Sequence, residues 1–267
     1  MAASVHPTAV VDAAARLGDG VTIGPLCVVG GEAVLDDGVA LESHVVITGR
    51  TRVGAGTRIY PFAVIGTPPQ DVGYKGESSG IVIGRGNVIR EHVTINPGTA
   101  RGQLETRIGD GCFLMVGAHI AHDCMVGDRV IMANNATLAG HVSIGHDAIL
   151  GGLTAVHQFV RIGEHAFIGG MTGVERDVIP YGMVVSERGH LAGLNLVGLR
   201  RRGFDHNEIH RMRAAFRTLF HGDGEWESRI DQVAEAHGDV PAVRRLVEFI
   251  RADSRRKILQ SRGEDGV

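Results

Sequence analysis

Three histidines stand at spacings that could do chemistry. His122 and His141 lie nineteen positions apart, and His157 follows sixteen later. On the eighteen-residue repeat that surrounds them, they fall on nearly one edge of three successive coils, spanning on the order of 10 Å. Asp123 adjoins His122, and Gly140 stands eighteen positions beyond His122. An imidazole can take a proton from a hydroxyl, and a neighbouring carboxylate can orient the ring. A glycine N–H, with no side chain in the way, can approach a developing oxyanion. That set suits acyl transfer. Two other readings stay open on the residues alone. The histidines could simply decorate surface turns, since the chain has 14 of them. They could also bind a metal, histidine being the commonest ligand.

The elements that must position these side chains are written in a period of six. From Ile108 the stops are Leu114, Ile120, Val126, Met132, Leu138, Ile144, Leu150, Val156, Ile162, Ile168 and Val174, all large and apolar. Glycine follows every third stop, at Gly109, Gly127, Gly145 and Gly163. A helix would repeat near 3.6 and a strand at 2. A period of six is the mark of a parallel β-helix, in which each short side sends one apolar residue inward and then turns a corner. The same ladder runs from Val5 to Ile65, and a shorter one holds Ile83, Ile89 and Ile95. Polar excursions at 67–80 and 97–107 interrupt it. A coil can expel an insertion only at a corner, so these loops are expected on a binding face.

The ladder stops near Pro180, and 181–203 reads as irregular. Asp205, with Glu208 three later, marks a helix N-cap, and Ile209, Met212, Phe216, Leu219 and Phe220 form one helical face. A second helix is expected over 225–237 and a third from Pro241. The expected division is a β-helix over 1–190 and a helical domain over 191–267, covering the open end of the coil. Flat prism sides favour a symmetric oligomer, most simply a trimer.

Composition narrows the function. The net charge of −3 points to no nucleic acid. No apolar run can span a bilayer, and the first twenty residues show no signal-peptide pattern. Cys27, Cys112 and Cys124 form no CxxC and read as reduced thiols of a cytoplasmic protein.

Longer segments sharpen this. His119-Ile-Ala-His122-Asp-Cys, Ala133-Asn134-Asn135 through Gly140-His141, and Gly151 through His157-Gln158-Phe159 resemble the UDP-N-acetylglucosamine O-acyltransferases of lipid A biosynthesis. Val5-His-Pro-Thr-Ala-Val, the Gln70-Asp71 loop and Asn195 through Arg201-Arg202-Gly-Phe204 fit the same family, so the resemblance covers essentially the whole chain. It implies a left-handed parallel β-helix, against the usual crossover hand, in a homotrimer with sites between subunits. The implied reaction moves a (3R)-3-hydroxyacyl group from acyl carrier protein to the 3-hydroxyl of UDP-N-acetylglucosamine. The acyl group arrives on phosphopantetheine, and no cofactor or metal is expected. His122 is implied as base, with Asp123 beside it, and Gly140 as oxyanion donor. Gln70, Asp71, His119, His141, His157, Gln158, Asn195, Arg201 and Arg202 are implied as substrate contacts, and Gly170 and Met171 as part of an acyl groove. Gly170 is the small option there and suggests a longer chain such as 3-hydroxymyristoyl.

The chain also departs from the family. A lysine common two residues after the loop aspartate is Gly73 here, with Lys75 nearby as an expected substitute, and a common glutamate is Val197. A 3-amino UDP-sugar is an alternative acceptor. The sister N-acyltransferases carry a domain before their repeats, whereas this ladder starts at Val5. A zinc hydratase of the β-helix carbonic anhydrase type would need a close histidine pair and a third far upstream. His141 and His146 could supply the pair, but the upstream position is Glu105. Arg200, Arg202, Arg211, Arg213, Arg255, Arg256 and Lys257 are candidates for docking an acidic carrier protein.

Overall fold

The computed structural model describes residues 2–186 and 188–261. Mostly two-residue strands turn through three sheets of 11, 9 and 8 strands, in which every third strand of the coil pairs in parallel. The first sheet starts at Ser4–Val5, the second at Val10–Val11 and the third at Arg16–Leu17. Register is eighteen residues wherever no loop intervenes, as in His119 against Thr137 and Thr137 against Ala155, and tightens to sixteen only at the last turn, where Phe167 pairs with Met183. The second residue of each short strand points inward. Of the 26 apolar stops, all but Val5, Val11 and Leu17 are buried. Those three belong to the first coil, where no further coil covers them.

The residue just before each strand also faces in and must be small, so Val, Ala and Cys share it. Cys27, Cys112 and Cys124 sit there, buried and unpaired. Burial pushes the Cys112 thiol up to about 11 and the Cys124 thiol up to about 12. They fill space as thiols and are not poised as nucleophiles.

Both loops leave at one corner, between the second sheet and the third. The first connects Val64–Ile65 to Gly80–Ile83, and the second connects Thr94–Ile95 to Glu105–Ile108. The second loop therefore ends at 104, earlier than expected, because Glu105 already pairs with Gly80.

The segment 181–203 is more ordered than its sequence suggested. Gly182–Val185 and His190–Leu194 form an antiparallel pair that ends the first sheet. A short helix, α1 (Leu196–Arg201), follows. Neither is long enough to show a period. The division expected at 190 thus falls inside a strand. The three expected helices are present as α2 (His206–His221), α3 (Trp226–His237) and α4 (Pro241–Arg251). Asp205 caps α2, accepting from the N–H groups of Asn207 and Glu208.

The tail after α4 returns to the coil. Asp177 N–H donates to the Lys257 carbonyl and Leu259 N–H to the Asp177 carbonyl, at 3.0 and 2.8 Å. The buried Asp177 carboxylate takes Arg161 Nε and Ser254 Oγ, both at 2.6 Å. Residues 262–267 of the expected second domain lie outside the described residues.

Candidate active site

In three successive coils the corner between the second and third sheets repeats a left-handed residue. Asp123, His141 and Phe159 occupy it, with φ of 59°, 62° and 66°. Identical backbone at an eighteen-residue register stacks what these residues carry. The His122 and His141 rings meet edge to face at 4.9 Å between centroids, and Phe159 stacks on His141 at 4.5 Å. The Arg255 guanidinium, from the tail, covers Phe159 at 4.4 Å. The expected histidine row is corrected here, because its third member is Phe159. His157 sits two positions earlier and takes a hydrogen bond on Nδ1 from Arg256 at 2.6 Å.

Asp123 is buried, and its carboxylate is the best-connected acceptor at the site. His122 Nδ1 lies 2.9 Å from Oδ2. Thr99 Oγ1 donates at 2.7 Å and Gln103 N–H at 2.8 Å, with Thr99 N–H at 3.1 Å. Burial pushes this carboxyl up, but these bonds, led by the one from His122, outweigh it and hold the group below the usual carboxylate range. An ionised carboxylate only accepts, so Nδ1 of His122 carries the proton and Nε2 is left as the basic nitrogen. Nε2 has no hydrogen bond among the described residues. Burial lowers His141 below the usual imidazole range, against the pull of the Asp123 carboxylate. His122, Asp123 and His141 offer ligand atoms within 4.8 Å of one another. The carboxylate is already saturated by four donors, which suits orientation of an imidazole better than metal ligation.

Gly140 packs flat on the His122 ring. A Cβ there would lie 2.4 Å from Cε1 and 2.5 Å from Nε2. Its N–H makes no hydrogen bond among the described residues. Gly140→Ala should therefore push the imidazole off its seat and cost on the order of 100-fold in kcat. Thermal unfolding should change little, since the three atoms nearest the added methyl all belong to that ring; a normal kcat would remove the steric argument.

A cavity of about 490 Å³ opens on this edge, lined by Gln70, Asp71, Arg101, His122, His141 and Gln158 with Val72, Phe159 and Arg255. The first loop brings in Gln70 and Asp71, and Arg101 of the second loop pairs with Asp71 at 2.7 Å.

The same geometry has relatives. The model for a UDP-N-acetylglucosamine O-acyltransferase second domain matches residues 177–259, and the bacterial transferase hexapeptide model matches 105–140. An acyl-[acyl-carrier-protein]–UDP-N-acetylglucosamine O-acyltransferase of Azorhizobium caulinodans is 54% identical over 262 residues, covering 98% of this chain and 97% of the relative. One from Caulobacter vibrioides is 50% identical, covering 96% and 97%. The structure of a UDP-N-acetylglucosamine acyltransferase from Campylobacter jejuni superimposes with a TM-score of 0.92 at 40% identity, covering 97% of this chain and all of that one. The chain belongs to the acyl-[acyl-carrier-protein]–UDP-N-acetylglucosamine O-acyltransferase family.

Membership agrees with the left-handed parallel β-helix and its helical appendage read from the sequence. The site residues expected from the resemblance divide into two groups. Gln70, Asp71, His122, Asp123, Gly140, His141 and Gln158 gather at one corner. The others lie elsewhere on the chain. His119 is on the outer face of the second sheet, its Nδ1 2.7 Å from Thr94 Oγ1, and burial lowers its pKa. Gly170 and Met171 are exposed at the corner between the first and second sheets. Arg201 is exposed on α1.

Asn195 and Arg202 have structural partners. The Asn195 amide caps α1 through Gly198 N–H at 3.0 Å and donates to the His165 carbonyl at 3.1 Å. Arg202 donates to His165 Nδ1 at 2.7 Å and approaches Asp147 at 3.7 Å. Sequence reasoning missed Thr99, Arg101 and Phe159, and it placed Arg255 among the carrier-docking cations and not at this cavity. Of these, only Phe159 had a signal, being eighteen residues from His141.

Proposed function

We propose that this chain transfers a (3R)-3-hydroxyacyl group from acyl carrier protein to the 3-hydroxyl of UDP-N-acetylglucosamine, the first step of lipid A biosynthesis, with His122 as general base. One observation carries the mechanism: His122 Nδ1 is tied to a buried carboxylate while its Nε2 has no partner among the described residues, and Gly140, whose N–H also has none there, packs against the same ring. Nε2 takes the proton of the sugar hydroxyl as the oxygen attacks the thioester carbonyl. The oxyanion forms beside the Gly140 N–H. Collapse breaks the C–S bond, and the imidazolium returns its proton to the departing phosphopantetheine sulfur. Asp123 steadies the imidazolium without itself being protonated. No metal or cofactor enters these steps.

The division of the site residues supports a homotrimer in which Gly170, Met171 and Arg201 face a neighbour's His122. The outer face of the second sheet suits that packing. Around His119 it presents Val28, Val46, Val64, Thr94, Thr137 and Ala155, none of them charged. The mass in solution should be three times that of the chain.

Among the described residues no helix is long and apolar enough to cross a membrane, and the acyltransferase reading implies a cytoplasmic enzyme. For carrier docking, Arg202 and Arg211 are already occupied, the latter by Asp239. Arg213 lines a groove with Phe216 and Arg217 between α2 and the terminal hairpin, and it is the better candidate.

The test offers purified protein UDP-N-acetylglucosamine with carrier proteins bearing 3-hydroxyacyl chains of different lengths. Ester formation is expected, fastest with a long chain because Gly170 leaves the groove open. Transfer only to a 3-amino sugar would overturn the choice of acceptor.

A further inference from the structure

Position 73 is glycine, yet its place in the cavity is not empty. A Cβ built there would lie 1.6 Å from Arg101 Nη2 and 2.5 Å from Arg101 Cζ. The backbone at Gly73 is outside the left-handed region, so what excludes a side chain is the guanidinium and not the main chain. Arg101 arrives from the other loop and reaches both oxygens of Asp71 through Nη2, at 2.7 and 3.0 Å. Its Nε and Nη1 make no hydrogen bond among the described residues. Glu77 ties the loops together a second time, accepting from Ala100 N–H at 2.9 Å. Lys75, expected as the substitute cation, is exposed and lies outside the cavity.

We propose that Arg101 is the cation that holds substrate in this cavity, delivered from the second loop into the space left by Gly73, and that it binds a phosphate ester. The inference rests on the acyltransferase reading. An ion pair with one partner 65% exposed contributes little to stability, so the Asp71 contact explains the aim of the side chain better than its presence. Anchoring at Nη2 leaves a planar fork of donors in a cavity that also holds His122, His141 and Gln158. Such a fork suits phosphate oxygens. Among the residues lining the cavity the only other arginine is Arg255, which lies over Phe159. Both substrates carry a phosphate: the sugar nucleotide as a diphosphate, the carrier protein as the ester of its pantetheine arm.

The test is a swap of the cation between the two loops. Arg101→Ala should raise KM for one substrate on the order of 10–100-fold with a smaller change in kcat. A rise for UDP-N-acetylglucosamine assigns the diphosphate, and a rise for the acyl carrier protein assigns the pantetheine phosphate. Arg101→Lys should fall between wild type and alanine. Adding Gly73→Lys to Arg101→Ala should recover most of the loss, because the ammonium then enters the vacated space. Gly73→Lys alone should be impaired, since both cations compete for it. Unchanged KM values in Arg101→Ala, or a double variant no better than that single one, would overturn the proposal. A melting temperature near that of wild type excludes loop collapse as the cause, and a collapsed Arg101→Ala leaves the decision to Arg101→Lys and the double variant. Should wild type fail to acylate UDP-N-acetylglucosamine, calorimetry with UDP and with pantetheine phosphate still decides. One of them should bind, and bind on the order of tenfold more weakly to Arg101→Ala. Equal affinity, or no binding of either to wild type, overturns it.

Discussion

His122→Ala is expected to lower kcat on the order of 100- to 10,000-fold, the usual range for losing a positioned general base. Among the described residues the ring makes one hydrogen bond, to Asp123, and His122 lines the cavity. Removing it leaves the fold nearly untouched, since the neighbouring corner is held by main-chain bonds such as His141 N–H to the His122 carbonyl at 3.0 Å, which alanine keeps. Binding of UDP-N-acetylglucosamine, measured by calorimetry, should stay within a few-fold. Turnover in the variant comparable to wild type would end the proposal that this imidazole takes the proton. A variant that has lost its melting transition would instead assign His122 a structural role.

Asp123→Ala should damage both turnover and fold. The carboxylate is buried and receives Thr99 N–H, Thr99 Oγ1 and Gln103 N–H together with His122. Alanine strands all four donors and also places a less tolerant residue at a φ of 59°. Removing one partner of a buried charged cluster costs on the order of 3–5 kcal/mol. For a chain of this size that is a fall in melting temperature of about 10 °C. The 97–104 loop, which Asp123 pins to the coil, should become the first site of proteolysis. His122 should lose its orientation, lowering kcat further.

Acidity offers a separate check on Asp123. The folded carboxyl titrates below its unfolded value, so its contribution is fully present above roughly pH 3.9. It is lost as the pH falls through the lower, folded value. Asp123→Asn, which keeps the left-handed backbone, should be less stable than wild type at neutral pH, and the gap should close in acid. A gap independent of pH would show that shape, not charge, carries the effect.

Much of this molecule was legible in its sequence because a β-helix repeats its physics. Each two-residue side needs one large apolar residue facing in, and each corner brings the next side back over the last. The ladder from Val5 to Val174 therefore stated the fold, its interruptions and the shared edge. Register also predicted that Gly140 would lie on His122. The helical end was readable through ordinary signals, the Asp205 cap and the apolar stripe of α2. The short hairpin at 182–194 and α1 were not, because elements of four to six residues show no period.

The site was legible only where it follows the register. His122, Asp123, Gly140 and His141 belong to the coil, and their mutual placement comes from eighteen-residue arithmetic. His157 misled, because being near the right register is not enough at a corner: in the three coils of the site one residue takes the left-handed backbone, and in the last of them it is Phe159. Thr99 and Arg101 lie in a loop that obeys no repeat. Their reach to Asp123 and Asp71 depends on how 97–104 folds back over the corner, and Arg255 reaches Phe159 only because the tail pairs with Asp177. The sequence by itself determined the coil, its inward ladder and the line of groups on one edge, since those follow from a local period imposed by backbone geometry. Only the tertiary structure decided which cation fills the place of a missing side chain and which carboxylate is held ionised, because such contacts join segments whose separation along the chain carries no period at all.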